Sequence, residues 1–408
     1  MKIILCITGS IAATESIKLA RELRRQNFEV KAFMSDAATQ IIHPNSMEFA
    51  TGQNVVLDLT GQIEHVKYSQ ADLILVAPAT ANVITKFTYK ISDNPINSLL
   101  ITAHGHNTPI LFVPSMHDSM FKSISDNINK IKSESDYNKL NFVNPRIEEG
   151  KAKFPKITDI VLESKRLISL NKNIAESNKN EDFINERDDE ISNIKSKKVL
   201  ITLGGTYEAI DPIRGISNKS SGKMGLELAK EAYSRGLDVK IIAGIVDVDI
   251  PKCLDVTYVE SSEEMNKKTK ELVNEYDIFI ATAAVSDFAP INKKDSKISS
   301  SINLSLEFKK TEKIIKQIKQ INPNIFLVGF KAEYNISNDQ MIDLAKKQMK
   351  EVGTDLVVAN DVSIENCGFG SDNNQVLLID NDILELPVCS KSEIAEIIFD
   401  KLEKRFLN

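Results

Sequence analysis

The chain opens twice in the same way. KIILCIT, a Gly-Ser pair, the amphipathic stretch IAATESIKLARELRRQN and the run FEVKAFMS begin the sequence. From Lys197 the order repeats as KKVLIT, LGGT and, after an insertion, SSGKMGLELAKEAYSRG and LDVKIIAG. Strand, small-residue turn, helix, strand is the unit of an α/β sheet, and apolar runs that do not alternate with polar residues mark strands covered on both faces. Further runs of this kind (ADLILVAPA, TPILFVP, DIFIATAA, NIFLVGF, DLVVAN) are interleaved with helical stretches. Each half is therefore expected to be a doubly wound, Rossmann-like α/β domain with a mainly parallel sheet, its ligands held at the carboxyl ends of the strands.

A chain of 408 residues exceeds the size at which one core keeps growing, so two domains are expected. The stretch from about Leu170, LNKNIAESNKNEDFINERDDEISNIKSKK, is rich in Asn, Lys, Glu, Asp and Ser and has too few apolar residues to build a core. It reads as a polar linker over 170–196 between domains at 1–169 and 197–408, with a solvated surface helix as the alternative. The formal net charge of -6 argues against a general nucleic-acid binder, whose affinity rests on clustered Lys and Arg. Cys6, Cys253, Cys367 and Cys389 lie far apart without a CxxC pair, which suggests neither a zinc ribbon nor a disulfide framework. The first apolar run is too short for a signal peptide and no other run approaches the ~20 residues that span a bilayer. A cytoplasmic, membrane-free protein is expected.

In the first half, Gly9-Ser10 closes a strand before a helix, which is either a phosphate cradle made of backbone N–H groups or simply a tight connection. All five histidines (His43, His65, His104, His106, His117) precede residue 118. His104 and His106 lack a third ligand at a persuasive spacing, so no zinc is expected. His65 stands in GQIEHVKYSQADLILVAPATAN, just before the strand that delivers Ala77-Pro78-Ala79-Thr80-Ala81-Asn82 to the sheet edge. A lone histidine there is ordinarily structural, and Ser35 in AFMSDAA is ordinarily an N-cap.

His65 followed by ADLILVAPATAN, with PSMHDSM further on, resembles the homo-oligomeric flavin-containing cysteine decarboxylases over about residues 1–165. The resemblance implies FMN held by Gly9, Ser10, Ser35, Pro78, Ala79, Thr80 and Asn82. It makes His65 the base, Asn82 a contact of flavin and substrate, and Met116 with His117 the holders of the substrate carboxylate. The chemistry agrees: a thiol must lose a proton and a hydride before the resulting thioaldehyde can act as electron sink for decarboxylation, and imidazole titrates near neutrality. Two departures stand out. His117 replaces the asparagine usual in this motif, and can still donate a hydrogen bond to a carboxylate. The region of the substrate clamp, NPRIEEGKAKF, contains no cysteine. Lys151 and Lys153 lie there and read as solvated loop lysines.

In the second half, VLITLGGTYEAIDPIRGISNKSSGKMG supplies two Gly-rich turns and small hydroxyl residues before a helix, a cradle for phosphate oxygens. It is not a Walker A loop, because six residues separate Gly215 from Gly222 and Met224 stands where Ser or Thr would hold magnesium. This stretch, followed by ATAAVSDFAP, LVGFKAEY and VVANDVS, resembles the phosphopantothenate-cysteine ligases across most of residues 197–408. The resemblance implies that Asn218 helps turn over an acyl-cytidylate and that Arg214 lies near phosphate or carboxylate. It assigns CTP to Ala281, Thr282, Ala283, Asp287, Lys297, Phe330, Lys346 (or Lys347) and Lys350, with Lys297 neutralising the departing pyrophosphate and Mg²⁺ held mainly by CTP. Activation by nucleotidyl transfer needs charge stabilisation more than proton transfer, in keeping with a half that has no histidine. Where relatives commonly continue as Lys-Ile-Lys-Lys, this chain has Lys297-Ile298-Ser299-Ser300.

Together the two resemblances imply a bifunctional enzyme of coenzyme A synthesis. It would join cysteine to 4'-phosphopantothenate at the expense of CTP and decarboxylate the product with FMN. They also imply a homo-oligomer, with a trimeric first domain, a dimerising second domain and a dodecamer as one possible assembly. The rival readings are another flavin reaction in the first half, such as flavin prenyl transfer, and a non-catalytic nucleotide-binding subunit.

Overall fold

The computed structural model describes residues 1–133, 139–148, 151–181, 197–299 and 304–407. The chain divides into two compact units, Met1–Arg187 and Asp188–Asn408. In the first, β1 (Lys2–Ile7), α1 (Ala13–Arg25), β2 (Glu29–Met34), α2 (Asp36–Thr39), α3 (Pro44–Thr51) and α4 (Glu64–Lys67) are followed by β3 (Leu73–Ala79), α5 (Ala81–Thr88), α6 (Pro95–Gly105) and β4 (Ile110–Pro114). Then come α7 (Asp118–Ser123), α8 (Ser125–Ser133), β5 (Leu140–Phe142), the hairpin strands β6 (Arg146–Glu148) and β7 (Lys151–Lys153), and α9 (Ile157–Glu181). α9 carries the chain as a helix through residues 170–181 of the stretch read as a linker, and residues 182–196 lie outside the described residues.

The main sheet of this unit is parallel throughout, in the order β2-β1-β3-β4-β5. Successive side chains of β1 point to opposite faces. Ile3, Leu5 and Ile7 pack with Leu19 and Leu23 of α1 and with Ile160 and Leu167 of α9. Ile4 and Cys6 pack on the other side with Phe87 of α5 and Leu99 and Leu100 of α6. Both faces of the strand are thus buried, which is why its sequence shows no alternation.

In the second unit, β8 (Lys198–Leu203) leads to a small hairpin, β9 (Tyr207–Ala209) with β10 (Gly215–Ser217), and then to α10 (Lys223–Ser234), β11 (Asp238–Ala243), β12 (Asp255–Tyr258) and α11 (Ser262–Leu272). β13 (Ile278–Ala281) precedes a second hairpin, β14 (Phe288–Pro290) with β15 (Phe308–Lys310). The chain continues as α12 (Ile315–Ile321), β16 (Phe326–Glu333), α13 (Asn338–Val352), β17 (Leu356–Asp361), β18 (Asn373–Ile379), β19 (Ile383–Ser390) and α14 (Lys391–Leu407). Its sheet runs β12-β11-β8-β13-β16-β17-β18-β19. The first six strands are parallel, and β18 and β19 close the edge antiparallel.

The doubly wound α/β architecture expected of both halves is what these sheets form. In each the strand order reverses beside the first strand, between β1 and β3 and between β8 and β13. Such a switch point leaves a crevice outside the carboxyl ends of the strands.

Candidate functional sites at the two switch points

Above β1 and β3 lies a cavity of about 460 Å³, within the size range of ligand pockets. Thr8, Gly9 and Ser10 border it from the end of β1, Ser35 and Ala37 from the end of β2, and Thr80, Ala81 and Asn82 from the end of β3. Asn94, Ile96 and Asn97 border it from the start of α6, and Ser115, Met116 and Met120 from the segment after β4. Its edges are fixed by short-range bonding. Thr8 Oγ1 donates to the Pro78 carbonyl (2.7 Å) and accepts from the Thr80 backbone N–H (3.1 Å). Ser16 Oγ donates to the Ala77 carbonyl (2.9 Å). Gly9 admits no side chain, since a Cβ would stand 2.4 Å from Ala37 Cβ.

Gly9, Ser10, Ser35, Thr80, Asn82 and Met116 therefore come together. Ser35 is both at the cavity and the N-cap of α2, accepting from Ala38 N–H at 3.3 Å. Pro78 and Ala79 are buried within β3 and do not border the cavity. His117 lies just outside it as the exposed N-cap of α7. Its Nδ1 accepts from Ser119 N–H (3.3 Å), which puts the proton of a neutral ring on Nε2. His65 does not border the cavity either. It sits half-buried in α4, a single turn entered through Ile63 at φ 48, an uncommon conformation for a β-branched residue. Its Nδ1 is buried and has no hydrogen-bond partner. Cys6, the one cysteine before residue 253, is fully buried in β1, and burial pushes its thiol well above the usual range. It cannot serve as a clamp cysteine.

A cavity of about 290 Å³ occupies the second switch point. Ser220 to Gly225 border it from the loop after β10 and the start of α10, Thr282 to Val285 and Asp287 from the end of β13, Phe330 and Lys331 from β16, and Asn360 from β17. A lobe of about 210 Å³ sharing Ala283, Asp287 and Phe330 continues to Ala281 and to Gln348 of α13. Gly225 lets α10 start against the sheet, since a Cβ there would lie 2.4 Å from Thr282 Oγ1 and 2.5 Å from Leu203 Cβ. Asn218 reaches the rim, its Nδ2 donating to the Ala284 carbonyl (3.1 Å).

Thr282, Ala283, Asp287 and Phe330 thus share one cavity, with Ala281 in its lobe. Lys346 and Lys350 border neither and are exposed. The α13 residue that does is Gln348, two positions from each, and residues two apart on a helix point about 200° apart. The cations at the cavity are instead Lys223, Lys313, Lys331 and Lys391, which sequence reading did not single out. Lys313 pairs with the Asp287 carboxylate. Lys391 is buried, donating to the carbonyls of Gly368 (2.8 Å) and Ser371 (2.6 Å), and burial together with Lys223 pushes its pKa down. Nothing local in the sequence distinguishes these lysines from solvated ones, because strands and loops far apart in the chain bring them together.

Lys297 is exposed and borders neither lobe, but its neighbour is firmly tied. The fully buried Asp211 carboxylate accepts from the backbone N–H of Ile213 (2.9 Å), Arg214 (2.8 Å) and Ile298 (3.1 Å) and from Arg214 Nε (3.0 Å) and one terminal guanidinium nitrogen (2.5 Å). That same nitrogen also donates to the Ile298 carbonyl (2.7 Å). Arg214 thereby ties the Lys297 segment to the β9–β10 hairpin through Nε and one terminal nitrogen, while its side chain stays partly exposed. The guanidinium, with backbone N–H groups assisting, holds the Asp211 carboxyl far below the usual carboxylate range. A depressed pKa contributes stability above the unfolded value, near 4, and loses it as pH falls through the folded one. Asp211→Asn is accordingly expected to lower the thermal stability of the second unit by a constant amount from about pH 5 to 8. The gap from the unsubstituted chain should narrow below about pH 4, as scanning calorimetry over pH would show.

Comparison with known proteins agrees with this division. A family model described as "Flavoprotein" matches residues 1–169, and one described as "DNA/pantothenate metabolism flavoprotein C-terminal domain" matches residues 194–406. The "Coenzyme A biosynthesis bifunctional protein CoaBC" of Thermococcus kodakarensis is 42% identical, covering 99% of this chain and 95% of its own. The protein of the same name from Methanocaldococcus jannaschii is 36% identical over 99% of this chain and 93% of its own. That from Bacillus subtilis is 31% identical over 98% and 96%. Two cavities of different lining, matched in order by the two family models and spanned end to end by these relatives, lead to one assignment: the chain belongs to the coenzyme A biosynthesis bifunctional protein CoaBC family.

Proposed function

We propose that the first switch-point cavity binds FMN and decarboxylates 4'-phosphopantothenoylcysteine, and that the second binds CTP and makes that compound from 4'-phosphopantothenate and cysteine. Family membership makes the chain a bifunctional flavoprotein enzyme of coenzyme A biosynthesis, with decarboxylase and ligase activities. The observation that carries the finer reading is the contrast between the two cavities. One is lined by hydroxyls, amides and methionines, and the other by four lysines around a Gly-rich helix start.

The first lining fits a flavin mononucleotide. The Gly9-Ser10 turn and the hydroxyls of Ser35, Thr80 and Ser115 suit a phosphate, and Ile96, Val83 and Met116 suit a ring. Bound FMN would supply the acceptor for the hydride that the substrate's Cα–Cβ–S unit gives up, and would return that hydride once carbon dioxide has left, so that the flavin ends the cycle oxidised. His65 takes the thiol proton, Asn82 orients the substrate against the ring, and Met116 with His117 Nε2–H holds the carboxylate that leaves as carbon dioxide. Because His65 stands away from the cavity of its own chain, it acts in this reading on the cavity of a second copy. The homo-oligomer implied by the resemblance, with trimeric first domains and dimerising second domains, provides such a neighbour.

In the second cavity the pantothenate carboxylate attacks the α-phosphate of CTP, and pyrophosphate leaves. The cysteine amine then attacks the acyl carbon, forming the amide and releasing CMP. Thr282, Ala283, Asp287 and Phe330 receive the nucleotide, while the cavity lysines oppose the triphosphate charge. Lys297, outside both lobes of its own chain, joins them in this reading only if its segment moves or comes from a second copy. Asn218 orients the acyl-cytidylate. Mg²⁺ is carried mainly by the triphosphate oxygens, as is usual where substrate phosphates provide the ligands. A cytoplasmic location goes with this reading, and among the described residues no helix is long and apolar enough to cross a membrane.

The test is direct. The purified chain should be yellow and sustain pyrophosphate release over many turnovers only with CTP, 4'-phosphopantothenate and cysteine all present, ATP serving poorly. Pyrophosphate formation without cysteine at the full multiple-turnover rate, or with ATP in preference, would count against the assignment.

A further inference from the structure

Asn97 is 1% exposed, borders the first cavity, and leaves its side-chain carbonyl oxygen without a partner. Its orientation is determined. Nδ2 donates to the Ile91 carbonyl at 3.1 Å, so turning the amide over would set oxygen against oxygen. The backbone is fixed as well, since Asn97 N–H donates to Oδ1 of Asn94, the N-cap of α6, at 3.0 Å. A buried acceptor held this rigidly and left unpaired is unusual in a folded protein and requires an explanation.

Resting on the flavin reading above, we propose that Asn97 is a flavin-selecting residue whose Oδ1 accepts the hydrogen bond of the isoalloxazine N3–H. An oxidised isoalloxazine ring carries one N–H, at N3; its N1, O2, O4 and N5 are acceptors, N10 bears the ribityl chain, and the remaining donors of FMN are the hydroxyls of that chain, away from the ring. An orphan acceptor is complementary to that one N–H. The neighbours of Asn97 in the lining agree, because Ile96, Val83 and Met116 offer apolar surface to a flat ring, while the small hydroxyls and the Gly9-Ser10 turn suit a phosphate. The polar contact expected of a mostly apolar ring pocket is then supplied by a side chain of α6 that no motif of the sequence marks.

A probe for that bond exists in 3-methyl-FMN, which lacks the donor. Full-length protein stripped of flavin is titrated with FMN and with 3-methyl-FMN, without substrate, following the quenching of flavin fluorescence. The unsubstituted chain should bind 3-methyl-FMN about tenfold or more weakly than FMN, since a site built to pair a donor rejects the analogue that lacks it. In Asn97→Ala the affinity for FMN should fall about tenfold and the two flavins should come within about twofold of each other. A merely structural role would weaken both flavins alike and leave their ratio unchanged, which would overturn the proposal. So would equal affinities for the unsubstituted chain, a measurement that needs no variant and is also the result expected if Oδ1 were reserved for a substrate amide. A chain that takes up no flavin would bring down the flavin reading itself, an outcome separate from these.

Discussion

In His65→Asn, carbon dioxide release from 4'-phosphopantothenoylcysteine is expected to fall by about 10²- to 10⁴-fold, the span that a positioned acid–base group contributes, while pyrophosphate formation continues unchanged. Asparagine is similar in size and still polar, so α4 should keep its turn, but it cannot accept a proton from a thiol at neutral pH. The selectivity follows from the division of the chain, because α4 belongs to the first compact unit and every proposed CTP contact to the second. The intermediate 4'-phosphopantothenoylcysteine should accumulate, measurable by mass spectrometry. Since His65 does not border the cavity of its own chain, subunits carrying His65→Asn mixed with subunits altered at Asn82 should recover part of the lost decarboxylation. Failure to recover any would place the base and the cavity in one subunit.

Asn218→Ala should give the converse pattern. Steady-state pyrophosphate formation is expected to drop by about 10²- to 10³-fold, the cost of removing one side-chain donor from a site that stabilises developing charge. Decarboxylation of supplied 4'-phosphopantothenoylcysteine should be intact. Asn218 Nδ2 donates to the Ala284 carbonyl, in the loop after β13 that borders the second cavity, so the side chain is already positioned at the rim. Alanine is the informative replacement. Aspartate would set a negative oxygen against the Ala284 carbonyl and confuse lost function with local repulsion.

Most of the fold was legible because strands buried on both faces leave uninterrupted apolar runs. Ile3 to Ile7 and Val199 to Ile201 announce interior strands of their sheets, and the Gly-rich turns after them mark the switch points. The site was legible where the chain itself forms the rim, as at Gly9, Ser10, Thr80 and Asn82, which follow directly from strand ends. It was less so where contact depends on helix phase or on distant segments. Lys346 and Lys350 look suitable as a pair of cations, yet the face of α13 that meets the lobe carries Gln348. Lys391 and Lys223 come to the cavity because α14 packs on α10, and no spacing in the sequence encodes that. Arg214, which motif reading places near a phosphate or carboxylate, also bonds the buried Asp211 and the Ile298 carbonyl, a tie that no motif marks. Asn97 escaped notice because an amide in the first turn of a helix ordinarily does no more than cap it.

Removing the flavin tests most directly whether two separable chemistries reside in one chain. Protein stripped of FMN and given CTP, 4'-phosphopantothenate and cysteine should release pyrophosphate at the undiminished rate, emit no carbon dioxide, and regain carbon dioxide release when FMN is restored. Carbon dioxide produced at full rate by the colourless protein, or loss of pyrophosphate formation along with the flavin, would contradict that separation.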